Sequence, residues 1–160
     1  MQHRQTVITV GAVCYHAGRF LLIEERVRGR LVVNQPSGHR EPKESLVEAA
    51  VREAREESGH RFLAEAVGGV YFWQNPRNGT PMMRVNFIGS VQSPSGSVTL
   101  DEGIERFVWR SRAQLLQHST PPRNSLVLRT VDDYLAGKRY PLSLLQHIER
   151  DWFEDCALAA

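Results

Sequence analysis

The chain has 160 residues with 20 basic and 18 acidic side chains, and its formal net charge is +2. So small an excess gives no strong positive field, which argues against duplex nucleic acid as a partner. Hydrophobic residues make up 41% and charged residues 24% of the chain, and no apolar run approaches about 18–20 residues, so neither disorder nor a membrane span is expected.

The length suits a single domain, which we predict over residues 1–160. The two cysteines, Cys14 and Cys156, cannot form a disulfide framework and favour a reducing cytoplasm as the location. Cys14 falls in an apolar segment, so we expect it in the core rather than as a nucleophile.

The first forty residues alternate short strands with tight turns. Predicted strands occupy residues 6–15, 19–25 and 31–33, and predicted turns lie at 17–18 and 27–30. The segment NQPSG, residues 34–38, then predicts a loop that leads into a helix.

That helix has clear signals at both ends. Ser45 with Glu48 three residues later is a capping-box pattern, so we expect the helix to begin at Ser45. Gly59 is placed to adopt a left-handed conformation just after the last turn. Between these positions, apolar residues recur at helical spacing and predict one buried stripe.

After the helix, the pattern returns to strands and ends in helices. Predicted strands lie at 66–74, 83–91 and 106–109, and predicted helices at 111–118 and 125–136, with a short helical stretch from Pro141. This order predicts an α+β fold in which helices flank a mixed sheet. The helical part from about residue 121 is expected to form a C-terminal extension.

Three glutamates of the central helix are placed unfavourably. Glu53, Glu56 and Glu57 fall within about one turn beside the apolar stripe, where a like-charged pair costs about 0.2–0.5 kcal/mol. A solvated acidic face is one interpretation of this pattern. A divalent cation is the other, because hard oxygen ligands would turn the repulsion into attraction.

The spacing of residues across this segment shifts the balance towards the cation. Residues 38–59, GHREPKESLVEAAVREAREESG, have Gly, five residues, Glu, seven residues, Arg-Glu, two residues, Glu-Glu, one residue and Gly. This resembles the Nudix box, and all seven of its named residues are present. His60 departs from it, because an aliphatic residue usually follows the last glycine. The resemblance implies an α/β/α sandwich and a hydrolase that cleaves a diphosphate linked to another group, using Mg²⁺ with Mn²⁺ as a substitute.

The resemblance also implies residue roles. Glu53, Glu56 and Glu57 are expected metal ligands, and Glu53 or Glu56 is expected to help deprotonate the attacking water. Arg52 is expected to hold a glutamate by a charged hydrogen bond. Gly38 is expected to let the backbone approach the metal, with its carbonyl as a further ligand.

Other polar and aromatic residues are candidates for substrate contact or for completing the metal site. The candidate substrate-binding residues are Asn34, Gln35, Trp73 and Arg84. Glu102 or Glu105, from the later segment LDEGIERFVW, is a candidate additional metal ligand, with a plain acidic turn as the alternative.

The segments NQPSGH, NSLV and YLAGKRYPL resemble the NudJ phosphatase branch of the family. That branch removes phosphate from thiamine diphosphate, its pyrimidine precursor and nucleoside di- and triphosphates, so a small organic pyrophosphate is the expected partner. Three alternatives stay open: a nucleotide-sugar, ADP-ribose or housecleaning nucleotide pyrophosphatase, a processor of RNA ends, and a binding module without turnover. Monomer and homodimer are both compatible with the sequence.

Overall fold

The computed structural model describes residues 5–94, 96–117 and 119–148. Within them, seven strands form one sheet: β1 Val7–His16, β2 Arg19–Val27, β3 Arg30–Asn34, β4 Ser37–His39, β5 Arg61–Gln74, β6 Pro81–Gln92 and β7 Ile104–Arg110. The helices are α1 Leu46–Ser58, α2 Arg112–Gln117 and α3 Ser125–Leu135, followed by a 3-10 turn at Leu142–Leu144. None of these helices is long and apolar enough to cross a membrane.

Strand β1 lies at the centre and joins the two halves of the sheet. It runs parallel to β6, from Val7 beside Met82 to Cys14 beside Gly89. Its other edge pairs antiparallel with β4 and then, at its end, with β2. Strand β2 lies between β3 and β7, and β5 pairs antiparallel with β6. The predicted mixed sheet is therefore confirmed.

Local sequence signals explain the ends of the elements. Ala17 and Gly18 both have positive φ, 46° and 82°, which is the conformation of a tight hairpin turn between β1 and β2. The Ser45 side chain accepts from Glu48 N while the Glu48 carboxylate accepts from Ser45 N, so the capping box is formed. Gly59 ends α1 with φ 71°.

Two hydrophobic cores lie on opposite faces of the sheet. One packs Val10, Ala12 and Cys14 of β1 against the alanines of α1. The other packs residues such as Val13 of β1 against α2 and α3. Because successive side chains of a strand point to opposite faces, β1 supplies both cores. The result is the expected α/β/α sandwich.

Apart from shifts of one or two residues at element ends, the structure differs from the sequence-based elements in four places. Residues 37–39, predicted as loop, form β4, because they pair with the free edge of β1. Strand β5 begins at Arg61, five residues before the predicted strand, and pairs with the far end of β6. Helix α2 begins at Arg112, after the predicted start, and its predicted end at His118 lies outside the described residues. The stretch after Pro141 is a single 3-10 turn.

The single domain over 1–160, with a helical extension from about residue 121, stays a prediction. Helix α3 and the 3-10 turn fall in that extension, and residues 149–160 lie outside the described part of the chain, as does Cys156. Cys14 is 2% exposed in the first core, as expected.

Candidate active site

Two glutamates of α1 are held against the short strand β4. Glu57 accepts a hydrogen bond from the backbone N–H of Ser37 at 2.6 Å through Oε2. The Glu53 carboxylate lies over Gly38, where an added β-carbon would stand 2.0 Å from Oε1. Only glycine fits beneath Glu53 without displacing it, which gives a steric reason for Gly38. The pairing of β4 with β1 therefore fixes where both carboxylates lie.

Arg52 connects Glu53 and Glu56 of α1 with the segment that precedes the helix. Its guanidinium donates to Glu53 Oε1 at 2.8 Å and to Glu56 Oε2 at 3.0 Å. It also forms a two-pronged pair with the carboxylate of Glu44, at 2.8 and 3.1 Å, and donates to the carbonyl oxygen of His39. Five donor contacts to four residues make Arg52 the positioning group for the start and the middle of the helix.

Burial disfavours the charges of Glu53 and Glu57. The pKa of Glu57 is raised to about 8, mainly by burial. The hydrogen bond from Ser37 lowers this pKa, whereas the neighbouring charges of Glu53, Glu25 and Asp101 raise it. Burial likewise raises the pKa of Glu53, although the hydrogen bond from Arg52 opposes this. Both carboxylates thus lie where added positive charge would be strongly favourable.

An open cleft of about 1220 Å³ runs past these carboxylates. Its lining includes the acidic side chains Glu41, Glu53, Glu56, Glu57 and Asp101. Aromatic residues of β5 and several basic residues also line it: Tyr71, Phe72, Trp73, Arg52, Arg77, Arg84, Arg123 and Arg129. Of the four predicted substrate-binding residues, Trp73 and Arg84 therefore lie in the same cleft as the box glutamates.

Asn34 and Gln35 do not line this cleft. Asn34 is 1% exposed and donates to Glu25 Oε1 and Ser37 Oγ, both at 3.1 Å. Gln35 is 2% exposed and donates to the carbonyl oxygen of Val127 at 3.0 Å. Both amides therefore anchor the segment before β4 to the protein interior and do not contact the cleft.

The later carboxylate that reaches the cleft is Asp101. Glu105 is paired with Arg26 at 2.5 Å on the exposed surface, and Glu102 is exposed in the turn before β7; neither lines the cleft. The backbone N–H of Asp101 donates to the carbonyl oxygen of Glu56 at 3.1 Å, which ties this turn to α1. The sequence shows that this segment is acidic, but it does not show which of its side chains faces the cleft.

The carboxylates that line the cleft suit a divalent cation by the chemistry of their donor atoms. In the described residues, no three acidic, histidine or cysteine side chains stand close enough to hold an ion as they are now arranged. Arg52 instead bonds to one oxygen each of Glu53 and Glu56. The donors are nevertheless hard carboxylate oxygens, which suit Mg²⁺ or Mn²⁺, and burial of Glu53 and Glu57 makes a cation favourable there.

His60, the departure from the box, is buried rather than part of the cleft. It is 2% exposed, its Nδ1 lies 2.9 Å from the carbonyl oxygen of Ser58, and its ring meets Phe107 edge-on with centroids 4.8 Å apart. An aromatic contact therefore replaces the aliphatic one usual after the box, and the glutamates are unaffected.

Comparisons with known proteins agree with this geometry. A family model described as NUDIX domain matches residues 5–131. Phosphatase NudJ of Escherichia coli K12 is 35% identical over 138 residues, which cover 86% of this chain and 89% of the relative. Phosphatase NudJ of Shigella flexneri gives the same values.

Solved structures give the same result. A NUDIX hydrolase from Nitrosomonas europaea is 42% identical with a TM-score of 0.86, covering 90% of this chain and 98% of the other. A MutT NUDIX hydrolase from Burkholderia pseudomallei, at 22% identity and a TM-score of 0.68 over 81% and 98%, shares the fold.

The fold and enzyme class expected from the sequence are thus confirmed. Nudix hydrolases generally use divalent metals and act on small organic pyrophosphates. The family match extends well beyond the box itself and includes β1, β5, β6 and the first part of α3, which contribute residues to the cleft together with β4 and α1. This chain belongs to the NUDIX family of hydrolases.

Proposed function

We propose that the protein is a Mg²⁺-dependent, NudJ-like phosphatase that acts in the cytoplasm, with Mn²⁺ able to replace Mg²⁺. Its substrates are thiamine diphosphate, the pyrimidine precursor of thiamine diphosphate, and nucleoside di- and triphosphates, from which it releases phosphate. The observation that carries this proposal is one cleft that is lined by the box carboxylates together with basic and aromatic side chains.

The metal ligands in this proposal are Glu53, Glu56 and Glu57, with the Gly38 carbonyl as a further ligand. The bound ion would neutralise phosphate charge and favour ionisation of the attacking water. Glu53 or Glu56 accepts the proton of that water. Arg52 keeps Glu53 and Glu56 in place through its Nη1 contacts at 2.8 and 3.0 Å.

The rest of the substrate is bound by basic and aromatic residues of the same cleft. Arg84 binds phosphate oxygens, and the Trp73 ring offers a flat surface for the pyrimidine or the base. No covalent intermediate is needed, because attack by water on phosphorus requires only alignment and charge neutralisation. We assign the role of additional metal ligand to Asp101 instead of Glu102 or Glu105, because Asp101 is the acidic residue of that segment that lines the cleft.

The competing function on the same fold is a nucleotide-sugar, ADP-ribose or housecleaning nucleotide pyrophosphatase. Products distinguish the two functions. Stepwise release of orthophosphate supports the NudJ-like reaction, whereas nucleoside monophosphate plus pyrophosphate supports the competitor. The deciding experiment incubates the protein with Mg²⁺ and thiamine diphosphate, nucleoside di- and triphosphates, ADP-ribose, diadenosine polyphosphates or 5′-triphosphate RNA, and identifies the products by phosphorus NMR.

A variant separates catalysis from mere binding. Glu57→Gln keeps the shape of the side chain and an acceptor for the Ser37 N–H but removes the charge, so we expect turnover to fall by about 100-fold or more. Mn²⁺ binding, followed by calorimetry, should weaken in parallel. Glu65→Gln, on the exposed part of β5, is the matched control. Parental turnover by Glu57→Gln would remove this mechanism.

A further inference from the structure

Arg84 is the unusual cation of the cleft because it is buried without an ion-pair partner. The residue is 8% exposed, and among the described residues no carboxylate oxygen lies within 4.0 Å of its guanidinium. Its one hydrogen bond to a described side chain runs from Nε to Thr9 Oγ1 at 3.2 Å. A buried charge without a counterion is costly, so such a side chain calls for an anion from outside the chain.

Two other arginines that line the cleft, Arg123 and Arg129, differ because each is paired with a carboxylate. Arg123 donates from Nη1 to both carboxylate oxygens of Glu25, at 2.9 and 2.8 Å. Arg129 donates from Nε to Asp133. Each of these two arginines is therefore in direct contact with a carboxylate, whereas the carboxylates of Glu57, Glu25 and Glu53 act on Arg84 only from a longer distance.

The surroundings of Arg84 favour a small, highly charged group. The residues at the start of α3, Asn124 to Leu126, line the same cleft, so the positive end of that helix adds to the field. Thr9 fixes Nε, which leaves the two terminal nitrogens of the guanidinium for a ligand.

We propose that Arg84 determines specificity by binding the free terminal phosphate of the substrate, so that diphosphates with an unesterified end are preferred to those esterified at both ends. This rests on the proposed function and adds the group by which substrates are selected. A terminal phosphate carries about 1.5–2 negative charges near neutral pH and three acceptor oxygens. An internal phosphodiester carries about one charge, which balances a buried guanidinium less well and fits the fork of its terminal nitrogens less fully.

The test compares ADP, which has a free terminal phosphate, with ADP-ribose, which has none. We expect Arg84→Gln to lower kcat/KM for ADP by about 50-fold or more, and for ADP-ribose by less than about 3-fold. Arg84→Lys should fall between the parent and Arg84→Gln, because it keeps the charge but loses the fork. Arg61→Gln, which removes an exposed charge at the start of β5, should leave both substrates unchanged.

Binding and stability supply readouts that do not depend on turnover. Calorimetry with adenosine 5′-(α,β-methylene)diphosphate should show the same loss of affinity in Arg84→Gln. Without ligand, Arg84→Met should melt at the parental temperature or higher, because it removes an uncompensated charge; a structural guanidinium would instead give a lower melting temperature. Equal losses for ADP and ADP-ribose, or unchanged binding of the methylene analogue, would overturn the inference while leaving hydrolysis intact. Failure of the parent to hydrolyse any pyrophosphate would instead overturn the proposed function, and analogue binding would still decide the role of Arg84.

Discussion

Gly38 and Glu53 occupy adjoining space, with the carboxylate lying where the side chain of any other residue at position 38 would begin. The two residues come from different elements, β4 and α1, so the contact measures how closely the strand and the helix approach. A methyl group at position 38 would meet all three heavy atoms of the carboxyl group, between 2.0 and 2.3 Å away.

Gly38→Ala should therefore strongly reduce activity while leaving the fold intact. The clash falls on the free end of a flexible side chain, so Glu53 can rotate away at little cost in folding free energy. We expect turnover to fall by about 100-fold, as for loss of a group that aligns the reaction, and the melting temperature to change by only a few degrees. Turnover, thermal melting and Mn²⁺ binding check this, and an unimpaired Gly38→Ala enzyme would contradict it.

Arg52→Lys tests the network of α1. Lysine keeps the charge but cannot reach Glu44, Glu53, Glu56 and the His39 carbonyl together, so at least two charged hydrogen bonds are lost, at about 1.5–3 kcal/mol each at most. We expect lower stability in urea denaturation and turnover reduced by about 10-fold or more. Arg55→Lys, one turn along on the exposed side of α1, is the control and should match the parent.

The buried pair of Glu24 and Arg110 predicts a pH-dependent contribution to stability. Glu24 is 1% exposed and accepts from Arg106 at 2.7 Å and from Arg110. Burial opposes its charge, but the hydrogen bonds and charges of the two arginines outweigh burial and hold the pKa of Glu24 below its usual value. Its stabilising effect is therefore complete above the unfolded pKa of about 4.3 and is lost as the pH falls through the folded pKa.

Glu24→Gln should lower the free energy of unfolding by about 3 kcal/mol at neutral pH, because it leaves the Arg110 charge buried and unpaired. The difference from the parent should narrow once the pH falls below about 4. Glu105→Gln breaks the exposed pair with Arg26 and should cost less than about 1 kcal/mol. Urea denaturation at several pH values measures both, and a difference that stays constant with pH would refute the assignment.

Cys14 should be unreactive in the folded protein. Burial raises the pKa of its thiol to about 12, the nearby charge of Glu65 adds to this, and the residue is 2% exposed. Iodoacetamide should modify Cys14 only after unfolding, as followed by mass spectrometry of tryptic peptides, on which Cys14 and Cys156 are separate. Cys14→Ala should keep full turnover, which a cysteine nucleophile would not allow.

Local signals predicted most elements because each depends on neighbours in the sequence. The turn at Ala17-Gly18, the capping box of Ser45 and Glu48, and the stop at Gly59 are all local devices, and all three are present. The strand at residues 37–39 was missed because Ser-Gly-His has no strand pattern of its own. It forms through pairing with Thr9, Val10 and Gly11, which no local window contains.

The residues of the site also differ in how far the sequence predicts their positions. The box glutamates were identifiable because one helix holds them at fixed spacing. Asn34 and Gln35 were expected at the substrate, yet their amides are buried, since the polarity of a loop does not reveal which way it faces. Asp101 and Glu102 lie in the turn before β7 and Glu105 lies in β7; contacts with distant residues, such as the backbone bond from Asp101 to Glu56 and the pairing of Glu105 with Arg26, accompany their different directions.

The parallel pairing of β1 with β6 also has a kinetic consequence. Thr9 and Arg84, which bond across these strands, are 75 positions apart, and the whole of α1 lies between them. Bringing the ends of so long a segment together costs conformational entropy before favourable contacts can form. This pairing is therefore expected late in folding. Polyphosphate recognition is therefore available only to the finished molecule, and a bound substrate would slow unfolding by stabilising that state alone.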